Sequence, residues 1–343
     1  MKQLISSHLE SFSAKLLAAD ALQVSDNAYC QRYFRHLQIH HHYFLNIYAD
    51  VLERVLLLSQ MKPDQIVLVD FGCGNGLLAL LARYCGFGKV IACDRDVNFI
   101  QAAQTLSTLM NIPLDHVLCG DEQTLKRHHL TTNINVIVGT DVIEHIYNLD
   151  LFFKTIASMN IGMVSVFTTA SNPQNPFIVR RLKRLQLRDE YKGATPEDAV
   201  LTGNTAHEAF FVIRKKIIQN AFPNEGHEFW DDIAHKTRGM NRSDILNWIA
   251  IYNVNKKMPH MLSHPTNTCN PISGSWTERL LSLDEYKTIY GQHGFSLQCN
   301  NGYYDTAKPF PKNIVARCLN VMVKWGSMKL APFIILSGKN VNK

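Results

Sequence analysis

The sequence predicts an α/β protein built on a seven-stranded, mostly parallel sheet with helices on both faces. Three observations lead there. From residue 65 to 172, short β-branched runs alternate with longer helical ones. Those short runs are apolar throughout, the mark of strands covered on both faces. A glycine-rich turn follows the first run directly and opens a helix.

Taken in order, residues 1–60 read as helical. Aromatic and apolar residues recur at helical spacing from Tyr33 through Phe44, Tyr48 and Val51 to Val55. Pro63 sets a connection at Met61-Lys62-Pro63-Asp64, because its ring cannot continue a helix. The strand runs follow at 66–69, 90–93, 116–119, 136–138 and 163–167, with helices expected at 75–85, 96–110, 122–129 and 142–158. After Phe167 the alternation stops for about a hundred residues, and helical stretches take over. Thr205-x-x-Glu208 reads as a capping box before Ala209 to Ala221, and Asn241-x-x-Asp244 precedes Ile245 to Tyr252. The α/β pattern then resumes. Ser282-x-x-Glu285 opens a helix that Gly291 to Gly294 ends, Phe295 to Cys299 reads as a strand, and a helix at 312–326 leads to a strand at 333–336.

This organisation divides the chain into three parts. Residues 1–60 form an N-terminal helical segment. Residues 61–172 and 281–343 form the sheet domain. Residues 173–280 are a largely helical insertion, expected to supply a lid and the acceptor site.

The composition is that of an ordinary globular protein, 46% hydrophobic and 19% charged over 343 residues. With 35 Lys and Arg against 29 Asp and Glu the net charge is +6, compatible with an anionic substrate or surface. The eight cysteines are scattered, without a C-x-x-C pair, as in a protein with reduced thiols, and a cytoplasmic location is expected. Met1 to Glu10 lacks the apolar stretch of a secretory signal. The apolar stretch from Ile314 to Leu336 is interrupted by Arg317, Lys324, Lys329 and Pro332, so no transmembrane segment is expected.

The chemistry centres on Asp70-Phe71-Gly72-Cys73-Gly74-Asn75-Gly76. Glycines let a backbone approach a ligand closely, and the helix that follows offers free N–H groups to a carboxylate or phosphate. A second strand ends at Asp94, placed to grip ribose hydroxyls. That spacing also suits a dinucleotide dehydrogenase. Three details separate the two. The turn is D-x-G-x-G-x-G, a third strand ends in Gly120-Asp121, and a fourth leads into Gly139-Thr140-Asp141-Val142-Ile143-Glu144-His145. With these residues the chain resembles the class I methyltransferases that depend on S-adenosylmethionine (SAM), which have a Rossmann-like sheet. Its D-x-x-E-H segment is similar to the branch holding ubiquinone-biosynthesis O-methyltransferases and small-RNA 2′-O-methyltransferases. The resemblance extends over 65–172 and 281–338.

The resemblance implies roles. Asp70, Gly72, Gly74 and Gly76 would surround the amino-acid part of SAM, and Asp94 would accept from the ribose hydroxyls. Asp121, beside Gly120, would contact the adenine amino group. Thr140 and Asp141 would face the methyl group and the acceptor. Each also has a plainer reading. Asp70 serves as a turn or cap residue, Asp94 as a surface loop acid, the glycines as steric necessities, Asp121 as a helix cap, and Asp141 with Glu144 as a capping box.

A hydroxyl acceptor must lose its proton, and His145 suits a general base. Asp141, Glu144 and His145 are expected within one helical turn, where they make the candidate catalytic set. The same set, with His207 or His227, is also a candidate ligand group for Mg²⁺, Mn²⁺ or Zn²⁺, a divalent metal being the lesser expectation. His40-His41-His42 and Arg180-Arg181-Leu182-Lys183-Arg184 read as helix surfaces, the latter open to contact with an anionic lipid, phosphate or nucleic acid. Tyr29, Tyr33, Phe34, Tyr43 and Phe44 read as a core stripe, with an acceptor pocket as the alternative. The expected function is methyl transfer from SAM to a small-molecule acceptor, at oxygen. A metal-using RNA 2′-O-methyltransferase and a non-catalytic SAM-fold partner subunit are the alternatives. No nucleic-acid partner is expected, and the oligomeric state stays open.

Overall fold

A computed structural model describes residues 5–195, 206–259, 261–325 and 328–341. The chain folds as two units. The first comprises Met1–Ile143, Asn148–Ala170 and Ser282–Lys343, and the second Glu144–Tyr147 and Ser171–Leu281.

The first unit holds a seven-stranded sheet. Its strands are β1 (Val67–Phe71), β2 (Lys89–Asp94), β3 (His116–Cys119), β4 (Val136–Thr140), β5 (Val164–Thr169), β6 (Phe295–Asn301) and β7 (Ile334–Asn340), in the spatial order β3-β2-β1-β4-β5-β7-β6. Pairing is parallel from β3 to β5, whereas β7 runs antiparallel to both β5 and β6. The order reverses between β1 and β4. A crevice opens outside the carboxyl ends of strands at such a switch point, and ligands of open α/β sheets bind there.

Both faces of the sheet are covered. Leu68, Val90, Ala92, Val136, Val138, Val164, Val166 and Ile335 alternate onto one face, against Val51, Leu52 and Val55 of the helix His41–Ser59 and Leu78 and Leu81 of the helix Leu77–Tyr84. The opposite face stacks Phe152 on Phe71 and Phe167, with centroids 5.1 and 5.9 Å apart. Phe153 lies 4.1 Å from the ring of Tyr290 on the same side. Burying one such side chain is worth about 1.5–3 kcal/mol.

The helices of the N-terminal segment belong to this first unit. They are Leu9–Ala18, Ala21–Val24, Ala28–Ile39 and His41–Ser59. Asn27 caps the third, its Oδ1 accepting from Tyr29 N at 2.9 Å and Cys30 N at 3.2 Å. The fourth ends at Gln60, left-handed with φ 58°, three residues ahead of the proline that marks the break in the sequence.

The Ser282 capping box is present in full. Ser282 Oγ accepts from Glu285 N at 3.2 Å, and Glu285 Oε2 accepts from Ser282 N at 2.7 Å. Asn241 caps the helix Arg242–Asn255 by accepting from Asp244 N at 2.9 Å. Thr205, of the other expected box, lies outside the described residues. The helix it was to open starts at Phe210, and Glu208 instead meets the ammonium of Lys216 at 2.7 Å.

The expected helix at 142–158 needs correction, and so does the Asp141–Glu144 capping box. Asp141 is left-handed (φ 51°), and only a short 3₁₀ turn, Ile143–His145, follows. The α-helix spans Leu149–Ala157 and is capped by Asn148, which accepts from Leu151 N at 2.9 Å. Asp141 Oδ1 is used elsewhere, accepting from Ala170 N at 3.0 Å. A left-handed residue lacks the extended backbone of an N-cap, and its Oδ1 is turned to Ala170 instead.

The second unit is mainly helical, with helices Pro176–Tyr191, Phe210–Ala221, His227–Lys236 and Arg242–Asn255. Ile218, Ile233, Ala234, Ile245, Trp248 and Ile249 form its core. Beside them the guanidinium of Arg214, fully buried, pairs with Glu190, and Glu190 also accepts from Thr268 Oγ1 at 2.7 Å. A buried charge is tolerable only when paired and hydrogen-bonded in this way.

Candidate functional site

The glycine turn is built by backbone conformation. Gly72, Gly74 and Gly76 have φ of 70°, 52° and 76°, a region that side chains disfavour. Space adds a second constraint. A Cβ on Gly72 would come within 2.4 Å of Val142 Cγ2, and one on Gly74 within 3.1 Å of Tyr33 Cε1. The turn is anchored to β2, with the N–H groups of Gly72 and Cys73 both donating to Cys93 O, at 2.8 and 3.1 Å.

Two acids hold the turn. Asp94 Oδ2 accepts from Gly74 N at 2.9 Å, and its Oδ1 accepts from Asp96 N at 2.9 Å. Burial raises the Asp94 carboxyl above its usual range, with these N–H groups opposing the shift. Asp70 is buried at the end of β1, and its Oδ2 accepts from Ala79 N at 3.0 Å in the first turn of the following helix. Burial pushes its carboxyl up to about 7, with the Ala79 N–H opposing and the nearby Asp94 adding to it. Asn75, fully buried, ties the turn to the N-terminal helices by donating from Nδ2 to Cys30 O at 3.2 Å.

Asp121 caps the helix Glu122–Thr132, its Oδ1 accepting from Gln123 N at 3.1 Å and Thr124 N at 3.2 Å. Its Oδ2 lies 3.9 Å from the Arg95 guanidinium. Gly120 leaves no room for a side chain, since a Cβ would sit 2.3 Å from Thr124 Oγ1. At the end of β4, half-buried Thr140 lies beside the Tyr48 hydroxyl and opposes the upward shift that burial imposes on it. Asp141 is exposed, and its N–H donates to Thr168 O at 3.0 Å on β5.

Aromatic side chains from the N-terminal helices collect around these acids. Tyr29 and Tyr33 each pack edge-on against Phe99 at 5.5 Å. Burial raises the Tyr33 and Tyr43 hydroxyls, and the negative charge of Asp141 raises both further. Tyr48 is raised chiefly by burial as well. All three hydroxyls therefore remain protonated donors at neutral pH.

Glu144 and His145 belong to the second unit. His145 Nδ1 lies 2.8 Å from Trp276 O. A carbonyl cannot donate, so Nδ1 carries the proton, and in the neutral ring Nε2 holds the lone pair. Nε2 faces Glu278 Oε1 at 4.0 Å. Glu278 is left-handed (φ 43°), and its Oε2 accepts from Ser171 Oγ at 2.9 Å. The backbones are tied too, with Trp276 N donating to His145 O and Arg279 N to Glu144 O, each at 3.3 Å. Glu144 itself is buried.

Residues 39–194 match a protein-family model described as a methyltransferase domain. Over that span the chain is similar to methyltransferase domains. Among curated proteins, it is similar to the ribosomal protein L11 methyltransferase of Helicobacter acinonychis, 30% identical over 95 residues, which is 27% of this chain and 28% of that protein. The enzyme of the same name from Methylobacillus flagellatus is 49% identical over 47 residues, 14% of this chain and 16% of that protein. The chain thus spans less than a third of the length of these relatives. Among solved structures, a SAM-dependent methyltransferase from Archaeoglobus fulgidus is 10% identical with a TM-score of 0.42, covering 90% of this chain and 99% of that one. Another from Mesorhizobium loti is 14% identical with a TM-score of 0.37, covering 82% and 95%.

Within residues 39–194, the turn and Asp94 lie together, as Gly74 and Asp94 share a hydrogen bond. The turn offers a backbone cradle that a Cβ would fill, and it opens a helix whose first-turn Ala79 N–H is taken by Asp70. Those features fit the amino-acid part of SAM, and Asp94 keeps further lone pairs for ribose hydroxyls. The expectation of Asp141, Glu144 and His145 as one helical face is corrected, because Asp141 turns left-handed and no α-helix runs through them. Among the described residues, no three His, Cys, Asp or Glu side chains form a metal-ligand group. His207 faces Asp189 at 3.8 Å, and His227 packs edge-on against Trp230 at 5.1 Å. Sequence reasoning missed Glu278 and Trp276, which lie more than 130 positions from His145 and carry no motif. It treated Tyr48 only as part of a helical stripe. The aromatic spacing of that stripe was the available signal for Tyr33, Tyr43 and Tyr48.

Proposed function

We propose that this chain is a SAM-dependent methyltransferase that methylates a small-molecule acceptor at oxygen. One observation carries the SAM assignment. The acid ending β2 accepts from the glycine backbone following β1, so turn and acid are assembled together at the switch point of the sheet. Asp70, Gly72, Gly74 and Gly76 are assigned to the amino-acid part, Asp94 to the ribose, Gly120 and Asp121 to the adenine, and Thr140 to the methyl-bearing end.

SAM supplies a methyl group already activated on a sulfonium. The chain has then to position the acceptor and take up its proton. His145 is the proposed base. Its Nδ1–H is fixed on the Trp276 carbonyl, which leaves the lone pair on Nε2, and Glu278 Oε1 lies 4.0 Å from that nitrogen. Asp141 and Glu144 are proposed as positioning residues. The carboxylate of Asp141 holds the chain at Ala170, and Glu144 is buried next to His145 in sequence. The chain leaves the sheet unit after Ala170 and returns at Ser282, and we assign that second unit to acceptor choice.

The names of the partial relatives favour a second reading, a protein acceptor. Incubating the purified chain with methyl-tritiated SAM and fractionated cell extract separates the readings. Label in a small organic molecule supports the proposal. Label in protein or RNA replaces the acceptor class, and no label in any fraction of an extract that retains SAM binding leaves a binding subunit.

A further inference from the structure

The helix Lys312–Lys324 presents an apolar side to solvent. Only Ala316 and Val323 are buried along it. Ile314, Val315, Val321 and Met322 are each more than half exposed, Cys318 is exposed, and the rings at either end, Phe310 and Trp325, are 78% and 88% exposed. At about 100° per residue, Val321, Ile314, Trp325, Cys318, Met322 and Val315 fall in sequence within an arc of roughly 120°. Val323 and Ala316 lie diametrically opposite. The helix therefore has two apolar sides, one holding it to the fold and a wider one facing outward.

Charge singles out the same region. Beyond Asp305 the chain has no acid, yet it carries Lys308, Lys312, Arg317, Lys324, Lys329, Lys339 and Lys343. Seven of the 35 Lys and Arg thus lie there with none of the 29 Asp and Glu, so the preceding residues hold 28 cations against 29 anions. The net positive charge of the protein therefore comes entirely from this C-terminal stretch. On the helix, Arg317 and Lys324 border the apolar arc on one side and Lys312 on the other.

We propose that this face is a membrane-surface docking site for an anionic lipid bilayer, with the helix lying in the interfacial plane. Phe310 and Trp325 would enter the headgroup boundary at the two ends, and Ile314, Val321 and Met322 the acyl region between them. An apolar strip bordered by cations and ended by aromatic rings has the pattern that lies in a bilayer interface. At 13 residues the helix is too short to span, and no described helix is long and apolar enough to cross a membrane. A second copy of the chain is the poorer occupant, because pairing two such faces brings their like charges together.

The test is flotation of the purified full chain with vesicles of phosphatidylcholine plus phosphatidylglycerol, and with vesicles of phosphatidylcholine alone. The wild type should float with the anionic vesicles, lose that binding as salt is raised, and remain unbound with the neutral ones. The double variant Val321→Glu, Trp325→Glu should bind the anionic vesicles at least roughly tenfold more weakly. Both positions are exposed, so its thermal unfolding should match wild type, which separates a lost surface from a lost fold. Failure of the wild type to bind anionic vesicles overturns the proposal, as does equal binding by a folded double variant. Concentration-dependent dimerisation in light scattering that the same variant abolishes would assign the face to a second copy instead.

Discussion

Asp70→Asn tests the electrostatics of the site most directly. The side chain is buried at the end of β1 and accepts from Ala79 N. Its carboxyl titrates near 3.8 when unperturbed and is pushed up to about 7 in the fold, mainly by burial. Below pH 4 the acid is protonated in both folded and unfolded chains, and the fold loses nothing. Between those values the unfolded chain ionises freely while the folded one resists, so stability falls as pH rises. At about 1.4 kcal/mol for each pH unit, the span from 3.8 to about 7 amounts to roughly 4 kcal/mol, an order-of-magnitude figure. Above pH 7 both states are ionised and the loss is complete. Asn keeps the shape and an acceptor for Ala79 N but cannot ionise. Urea unfolding of wild type and Asp70→Asn at pH 5 and pH 8 should show the wild type losing stability relative to the variant as pH rises. The difference between the two proteins cancels the titrating groups that do not interact with Asp70, leaving Asp70 and its neighbour Asp94. A constant difference across that range would mean that the carboxylate is stabilised in the fold, and would refute the reasoning.

The remaining predictions concern binding and chemistry. Asp94→Ala should weaken SAM binding by about 1.5–3 kcal/mol, the worth of hydrogen bonds to a charged group, and calorimetry with wild-type affinity would remove Asp94 from the ribose. Gly74→Val should abolish SAM binding, because a β-branched residue at φ 52° is strained and its Cβ crowds Tyr33; equilibrium dialysis reads this directly. His145→Ala should slow transfer by roughly 10²–10⁴-fold at saturating SAM, with a chelator leaving the wild type unaffected. Chelator-sensitive turnover restored by Mg²⁺ would place a metal there instead.

The strands, the glycine turn and the Ser282 capping box were legible in the sequence because each rests on local physics. A run such as Val136-Ile137-Val138 is apolar throughout because both its faces are covered, and only glycine accepts the turn at 72, 74 and 76 without strain. What the sequence determined by itself is therefore the α/β alternation, the Rossmann-like class and the place of the glycine turn. Tertiary structure decided the rest. It placed β7 between β5 and β6, a pairing no local pattern encodes. It took the carboxylate of Asp141 for Ala170 N, 29 positions away, so an apparent helix cap became a left-handed corner and the helix waited for Asn148. It also fixed the tautomer of His145 through a carbonyl 131 positions downstream. Capping boxes, apolar runs and positive-φ glycines act within a few residues and can be read in order. A hydrogen bond across a hundred residues depends on which surfaces pack together, and that exists only once the chain has folded.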